Sequence, residues 1–164
     1  MKVLILGAQK GRVMKSAKEL LLEFTGLALR DPEKAAAMFA KDGAFEMPYL
    51  ADFGFQPRYS GRKEIADFFG FVRDLYPGFE FENVTVLIDT PLQVFAEYEF
   101  TAVSSKTGRT IHQLFFGRLV AENGQIQLLR EALNAAALAR GIYVQGIPEL
   151  PAKPWEEDER QSSN

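Results

Sequence analysis

The sequence predicts an α+β domain in which helices cover one face of a curled antiparallel sheet. Three observations carry this. In the first half of the chain, apolar residues recur at helical spacing. From about residue 79 the hydrophobic period changes to two. Within that second half, Asn123-Gly124 is the dipeptide that favours the type I′ turn of a two-residue hairpin. The chain has 164 residues, a single-domain length, and its 47% hydrophobic and 25% charged content suits a globular core.

Residues 1–12 contain Gly7-x-x-x-Gly11 after the short apolar run Val3 to Leu6. A dinucleotide fold would need Gly-x-Gly-x-x-Gly and a following βαβ alternation, so residues 1–15 are read as an N-terminal arm. Ser16-Ala-Lys-Glu19 has the form of a capping box, and Ala17, Leu20, Leu21, Phe24, Leu27 and Ala28 then build one apolar helix face. Asp31 caps a second, short helix, with Pro32 in its first turn, where no N–H is needed. Ala35, Ala36, Met38 and Phe39 form its inner side, and Lys41-Asp42-Gly43 is expected to end it. A strand is expected from Ala44 to Tyr49, interrupted by Pro48, then a loop with Gly54 and Pro57. Ser60-Gly61 opens a third helix with Ile65, Phe68, Phe69, Val72 and Leu75 on one face, and Pro77-Gly78 stops it. Strands follow at about 79–88, 92–103, 109–121 and 125–134. The domain is expected to span 16–145. Residues 146–164 hold Pro148, Pro151, Pro154, Trp155 and an acidic run, and read as a solvated tail.

Composition narrows the chemistry. With no cysteine, a thiol nucleophile, disulfide or iron–sulfur site is excluded, and the single histidine, His112, excludes a multi-histidine metal site. No spaced acidic metal motif is present, so neither metal nor cofactor is expected. The net charge of −3 gives no footprint for nucleic acid. No apolar run is long enough for a signal or a membrane span, and the expected location is cytoplasmic. The 14 phenylalanines exceed the needs of so small a core, so they are expected to line a thick aromatic core or an apolar cavity.

Taking Asn123-Gly124 as the hairpin loop pairs Glu122 with Gln125. Continued without interruption, that register places His112, Leu114, Phe116, Arg118, Leu129, Glu131 and Leu133 on one sheet face. The other face would carry Gln113, Phe115, Leu119, Leu128 and Arg130. In strand 92–103, Val94, Ala96, Tyr98 and Phe100 form the apolar set, with Glu97 and Glu99 turned away. Glu131 is then the informative residue, an acid among apolar neighbours. It is either a cavity acid of raised pKa or half of an ion pair with Arg118. His112 is either its acid–base partner or an ordinary half-buried histidine. A slip of one residue would invert these faces.

Several stretches carry a family resemblance: Arg30-Asp31-Pro32 into Met38 through Pro48, Ser60-Gly61-Arg62-Lys63-Glu64-Ile65 with Phe68-Phe69, and Glu122 through Asn134. With the helix–helix–strand–loop–helix–meander order, these resemble the SnoaL-like and ketosteroid-isomerase-related proteins of the nuclear transport factor 2-like fold, over about residues 16–140. The resemblance implies a cone, its inner sheet face and three helices enclosing a pocket, often in a homodimer. The isomerases' base falls on Met47, their oxyanion acid on Phe116, and their helix tyrosine near Glu23, with Phe24 next to it, so steroid isomerisation is not implied. Arg130-Glu131-Ala132-Leu133-Asn134 is similar to a motif of the phenazine-biosynthesis A/B proteins whose glutamate is a general acid. Those proteins' polar helix positions fall on Phe68 and Val72. The SnoaL-like cyclases use a late-strand acid and a histidine, residue types that Glu131 and His112 supply.

Two function classes follow. One is a cofactor-free isomerase, cyclase or dehydratase acting on an apolar cyclic or polyketide-like substrate. Glu131 and His112 would be catalytic, and Tyr98, Phe100, Phe116, Arg118, Met47, Phe24, Phe68 and Tyr49 would bind the small apolar molecule. The other is a non-catalytic homodimeric binding module. The dimer contact is expected on the outer face, with Phe115, Leu119 and Leu128 in it.

Overall fold

The structure is a computed structural model and describes residues 14–145. The expected N-terminal arm, up to residue 13, and the tail with Trp155 lie outside the described residues. Helix α1 (Ala17–Leu27) begins at the expected capping box, with the Ser16 side chain accepting from the Glu19 N–H and the Glu19 side chain accepting from the Ser16 N–H. Helix α2 (Pro32–Ala37) is capped by Asp31, which accepts from the Lys34 N–H. It ends six residues before Gly43, and β1 (Phe39–Glu46) starts at once. Gly43 is not a helix stop. It sits where β1 changes register against β6, and a Cβ there would lie 2.7 Å from the Ile126 carbonyl oxygen. The segment Pro48–Phe53 is a short 3-10 helix rather than the end of a strand. After it come β2 (Arg58–Ser60) and α3 (Gly61–Leu75), whose Ile65, Phe68 and Phe69 are buried.

The second half is the expected meander: β3 (Glu82–Asp89), β4 (Gln93–Val103), β5 (Thr110–Glu122) and β6 (Gln125–Leu133). Asn123 and Gly124 take φ of 52° and 72°, the left-handed pair that a type I′ turn needs. A fourth helix, α4 (Ala135–Ile142), was not expected; Asn134 caps it by accepting from the Ala137 N–H. The six strands form one curled sheet in the order β2-β1-β6-β5-β4-β3. All neighbours are antiparallel except β1 and β6, which run parallel. The fold is therefore mixed α+β, a curled unclosed sheet with its helices on the concave side. No helix among the described residues is long and apolar enough to cross a membrane.

The register of β5 with β6 departs from the uninterrupted hairpin. Glu122 pairs with Gln125 and Ala121 with Ile126, but Val120 pairs with Leu128. Gln127 is an extra residue, a bulge that turns every later β6 side chain to the opposite face relative to β5. Beyond it Leu119 faces Leu129, Gly117 faces Glu131 and Phe115 faces Leu133. The concave face thus carries Gln113, Phe115, Gly117 and Leu119 with Leu129, Glu131 and Leu133, and it continues on β4 through Val94, Ala96, Tyr98 and Phe100. His112, Leu114, Phe116 and Arg118 lie on the convex face.

Candidate functional site

The concave face, α3, α4 and the 3-10 helix line a narrow cavity of about 50 Å³. Its wall is built almost wholly from apolar side chains, with aromatic rings prominent. Phe79 stacks on Phe100 with ring centres 4.0 Å apart, Phe81 meets Phe115 edge-on at 5.5 Å, and Phe45 stacks on Phe68 at 5.3 Å. The phenylalanine surplus thus lines a cavity. Its lumen has room for only a few waters, and its lining is close-packed.

Glu131 points into this wall and is 2% exposed. Ala96, Gly117 and Glu131 lie side by side on β4, β5 and β6, two small residues beside an acid. Tyr98, two residues farther along β4, leans across Gly117 and donates its hydroxyl hydrogen to Glu131 Oε1. A Cβ on residue 117 would lie 2.2 Å from the Tyr98 oxygen, so only glycine leaves this path open. Burial pushes the Glu131 carboxyl up to about 7, against the Tyr98 hydrogen bond, which favours the anion. Burial, the Glu131 charge and that same bond hold Tyr98 well above the ordinary phenol range, so it stays a donor. The pair is a carboxyl poised between acid and base near neutral pH, held by one fixed donor.

Two further polar residues reach the cavity. Gln113 is 1% exposed, and its Nε2 donates to the Asn134 carbonyl at 2.9 Å while Oε1 has no hydrogen-bond partner among the described residues. The Tyr76 hydroxyl is also buried without a hydrogen-bond partner among the described residues, and burial pushes its pKa up to about 12. The uninterrupted hairpin register puts Gln113 on the outer face, and no sequence motif singles out Tyr76, Phe79, Phe81 or Gly117. A glycine in the middle of an otherwise regular strand was the available signal that another group approaches closely.

Phe100, Met47 and Phe68 line the cavity with Glu131. Tyr98 is wholly buried and touches the acid alongside that wall. Phe24 packs in the core against Phe39 and Phe69, and Tyr49 is 66% exposed. The bulge carries His112, Phe116 and Arg118 away from the site. His112 contacts Glu99 at 3.3 Å and Thr101 at 3.1 Å, Phe116 stacks against Phe95, and Arg118 donates twice to Gln93. The expected Glu131–Arg118 ion pair does not form, because the two side chains lie on opposite faces. Glu46, also buried, is held by Arg58 and Arg130 outside the cavity wall. Burial works to raise its pKa, but the two guanidiniums outweigh this and hold it low. Among the described residues no group of three or more metal-ligating side chains is assembled.

The SnoaL-like domain family matches residues 23–129 of this chain. The chain belongs to that family. No curated protein matches it in sequence. Solved structures place this SnoaL-like chain among nuclear transport factor 2-like folds. A phenazine biosynthesis-related protein of Pseudomonas aeruginosa is 17% identical, with 87% of this chain and 92% of that one aligned at a TM-score of 0.69. A Bacillus subtilis protein described as a candidate isomerase is 22% identical, over 76% and 91% of the two chains, at 0.68. A candidate polyketide cyclase of Xanthomonas campestris pv. campestris is 23% identical, over 72% and 90%, at 0.62. At these identities the likeness is one of fold.

Proposed function

We propose that this SnoaL-like protein is a cofactor-free acid–base enzyme that moves a proton on an apolar cyclic or polyketide-like substrate, as an isomerase, cyclase or dehydratase does. One observation carries the reading: Glu131, buried at the wall of an apolar cavity, has a carboxyl near 7 and a fixed donor, Tyr98, on one oxygen. A group that titrates near working pH can both take and return a proton. As carboxylate, Glu131 takes a proton from the carbon beside a ring carbonyl, leaving an enolate. As the neutral acid it returns the proton to the same or another carbon, and the Tyr98 hydroxyl steadies the carboxylate before the first step and after the second. The aromatic wall holds the ring and excludes water.

The test is deuterium uptake by 2-tetralone, an apolar cyclic ketone with an acidic carbon beside the carbonyl, in D2O near pH 7. The full chain should speed exchange above the buffer rate, and Glu131→Gln should return it to that rate. If the wild type binds 2-tetralone without speeding exchange, the enzyme reading fails. A second reading, a binding module without chemistry, is then favoured by the almost wholly apolar wall.

In either case the working unit we propose is a homodimer joined through the convex face. That face carries Leu114, and Phe116 stacked on Phe95, in place of the inward-facing Phe115 and Leu119. No described helix covers it.

A further inference from the structure

Two buried polar groups in the cavity take no part in the proton transfer proposed above. Gln113 Nε2 donates to the Asn134 carbonyl, and a carbonyl can only accept. The amide therefore cannot be turned over, and its oxygen is fixed on the other side, buried and without a hydrogen-bond partner among the described residues. The Tyr76 hydroxyl, which lies against Gly141, likewise has no hydrogen-bond partner among the described residues. Both residues flank Phe100: Gln113 is its cross-strand partner on β5, and the Tyr76 ring centre is 5.4 Å from its own.

This end of the cavity is distinct from the acid end. Glu131 pairs with Gly117, four residues along β5 from Gln113. At the rise of a strand that is on the order of 13 Å. Between the two ends lies the apolar pair Phe115 and Leu133. The slot is thus apolar along its length, with a carboxyl near one end and an unmet amide oxygen and phenol near the other.

A buried acceptor without a donor is a cost to the fold, and such groups in folded proteins call for a reason. We infer that the Gln113–Tyr76 end recognises a hydroxyl or N–H donor on an apolar ring ligand: the donor gives its hydrogen to Gln113 Oε1 and accepts from the Tyr76 hydroxyl. The inference rests on the cavity being the ligand site and adds a specificity position to it. An apolar analogue of the same shape leaves the amide oxygen unmet and binds less well.

The probes are 2-naphthol and 2-methylnaphthalene, matched in shape and differing in one hydroxyl. They are titrated by their own fluorescence at pH 6 against the full chain. The wild type should bind 2-naphthol about 10- to 100-fold more tightly, as expected for leaving one buried acceptor unpaired. Tyr76→Phe, which removes no hydrogen bond seen in the fold, should reduce the preference; Gln113→Leu should abolish it; Glu131→Gln should keep it. Equal binding of the two probes, or binding of neither, overturns the inference, and a water held by Gln113 in place of a ligand group gives the equal result. A preference that survives Gln113→Leu and vanishes in Glu131→Gln also overturns it, because the hydroxyl then sits on the acid. Should Gln113→Leu fail to fold, Tyr76→Phe decides, and an undiminished preference overturns the inference. The Gln113-dependent preference without deuterium exchange would leave this recognition site standing while the proton-transfer reading falls.

Discussion

Replacing Glu131 with glutamine should change how stability depends on pH, in a direction opposite to that of most carboxylates. The Glu131 carboxyl has a pKa of about 7 in the fold, against an ordinary value of 4.5. Between those values the folded chain holds a proton that the unfolded chain has released, so stability falls as pH rises through this window and levels off above it. A difference of about 2.5 units at about 1.4 kcal/mol each amounts to roughly 3 kcal/mol. Glutamine keeps an oxygen for the Tyr98 hydroxyl but does not titrate, so its own cost or gain is the same at every pH. Urea unfolding of both proteins at intervals from pH 4.5 to 8.5 isolates the effect, because all other groups cancel in the difference. Wild type should lose roughly 3 kcal/mol relative to Glu131→Gln over that range, nearly all of it below pH 8. Parallel curves would refute the raised pKa. A wild type that gains on the variant as pH rises would show that the fold favours the carboxylate, and the acid–base reading would lose its basis.

Gly117→Ala should cost about 1–3 kcal/mol, as inserted core atoms do, because the new methyl group lies 2.2 Å from the Tyr98 oxygen. Displacing Tyr98 removes the bond that lowers the Glu131 pKa, so a carboxyl titration followed by NMR should move upward; unchanged stability together with an unchanged titration would contradict the described path. Sedimentation at micromolar concentration should show a dimer, and a monomer there would remove the convex-face contact.

The helices and the meander were legible in the sequence because local chemistry specifies them. Ser16 with Glu19, Asp31 with Pro32, and Asn123-Gly124 each act within a few residues, and each is found in its expected role. Helix α4 is hidden although Asn134 precedes an alanine-rich run, because the period-two pattern of the last strand runs up to it. Strand β1 was begun late for a related reason: Lys41-Asp42-Gly43 has the composition of a helix stop, yet here it is an irregular stretch of strand against β6. What separates a stop from a bulge at Gly43 is the Ile126 carbonyl beside it, a residue distant in sequence.

The site turned on one residue in the same way. Glu131 was picked out because an acid between leucines is costly to bury unless it is useful or paired. Its companions could not be chosen without the β5–β6 register, and both faces of β5 look half apolar: Ile111, Phe115 and Leu119 on one, Leu114 and Phe116 on the other. The hairpin turn sets only the first two pairs. A hint of the bulge lay in β6, where Leu128-Leu129 breaks the alternation, so that the inward residues Ile126 and Leu129 are three apart instead of two. Gly117 offered a second hint, because opposite Glu131 it makes space for the acid and for the hydroxyl that reaches it. Together these two irregularities separate a flat sheet bearing a surface ion pair from a cavity with a buried carboxyl. Both are departures from the repeating pattern of the strands in which they sit, and a reading built on that pattern passes over them. In this chain, breaks in the period locate the chemistry better than the period does.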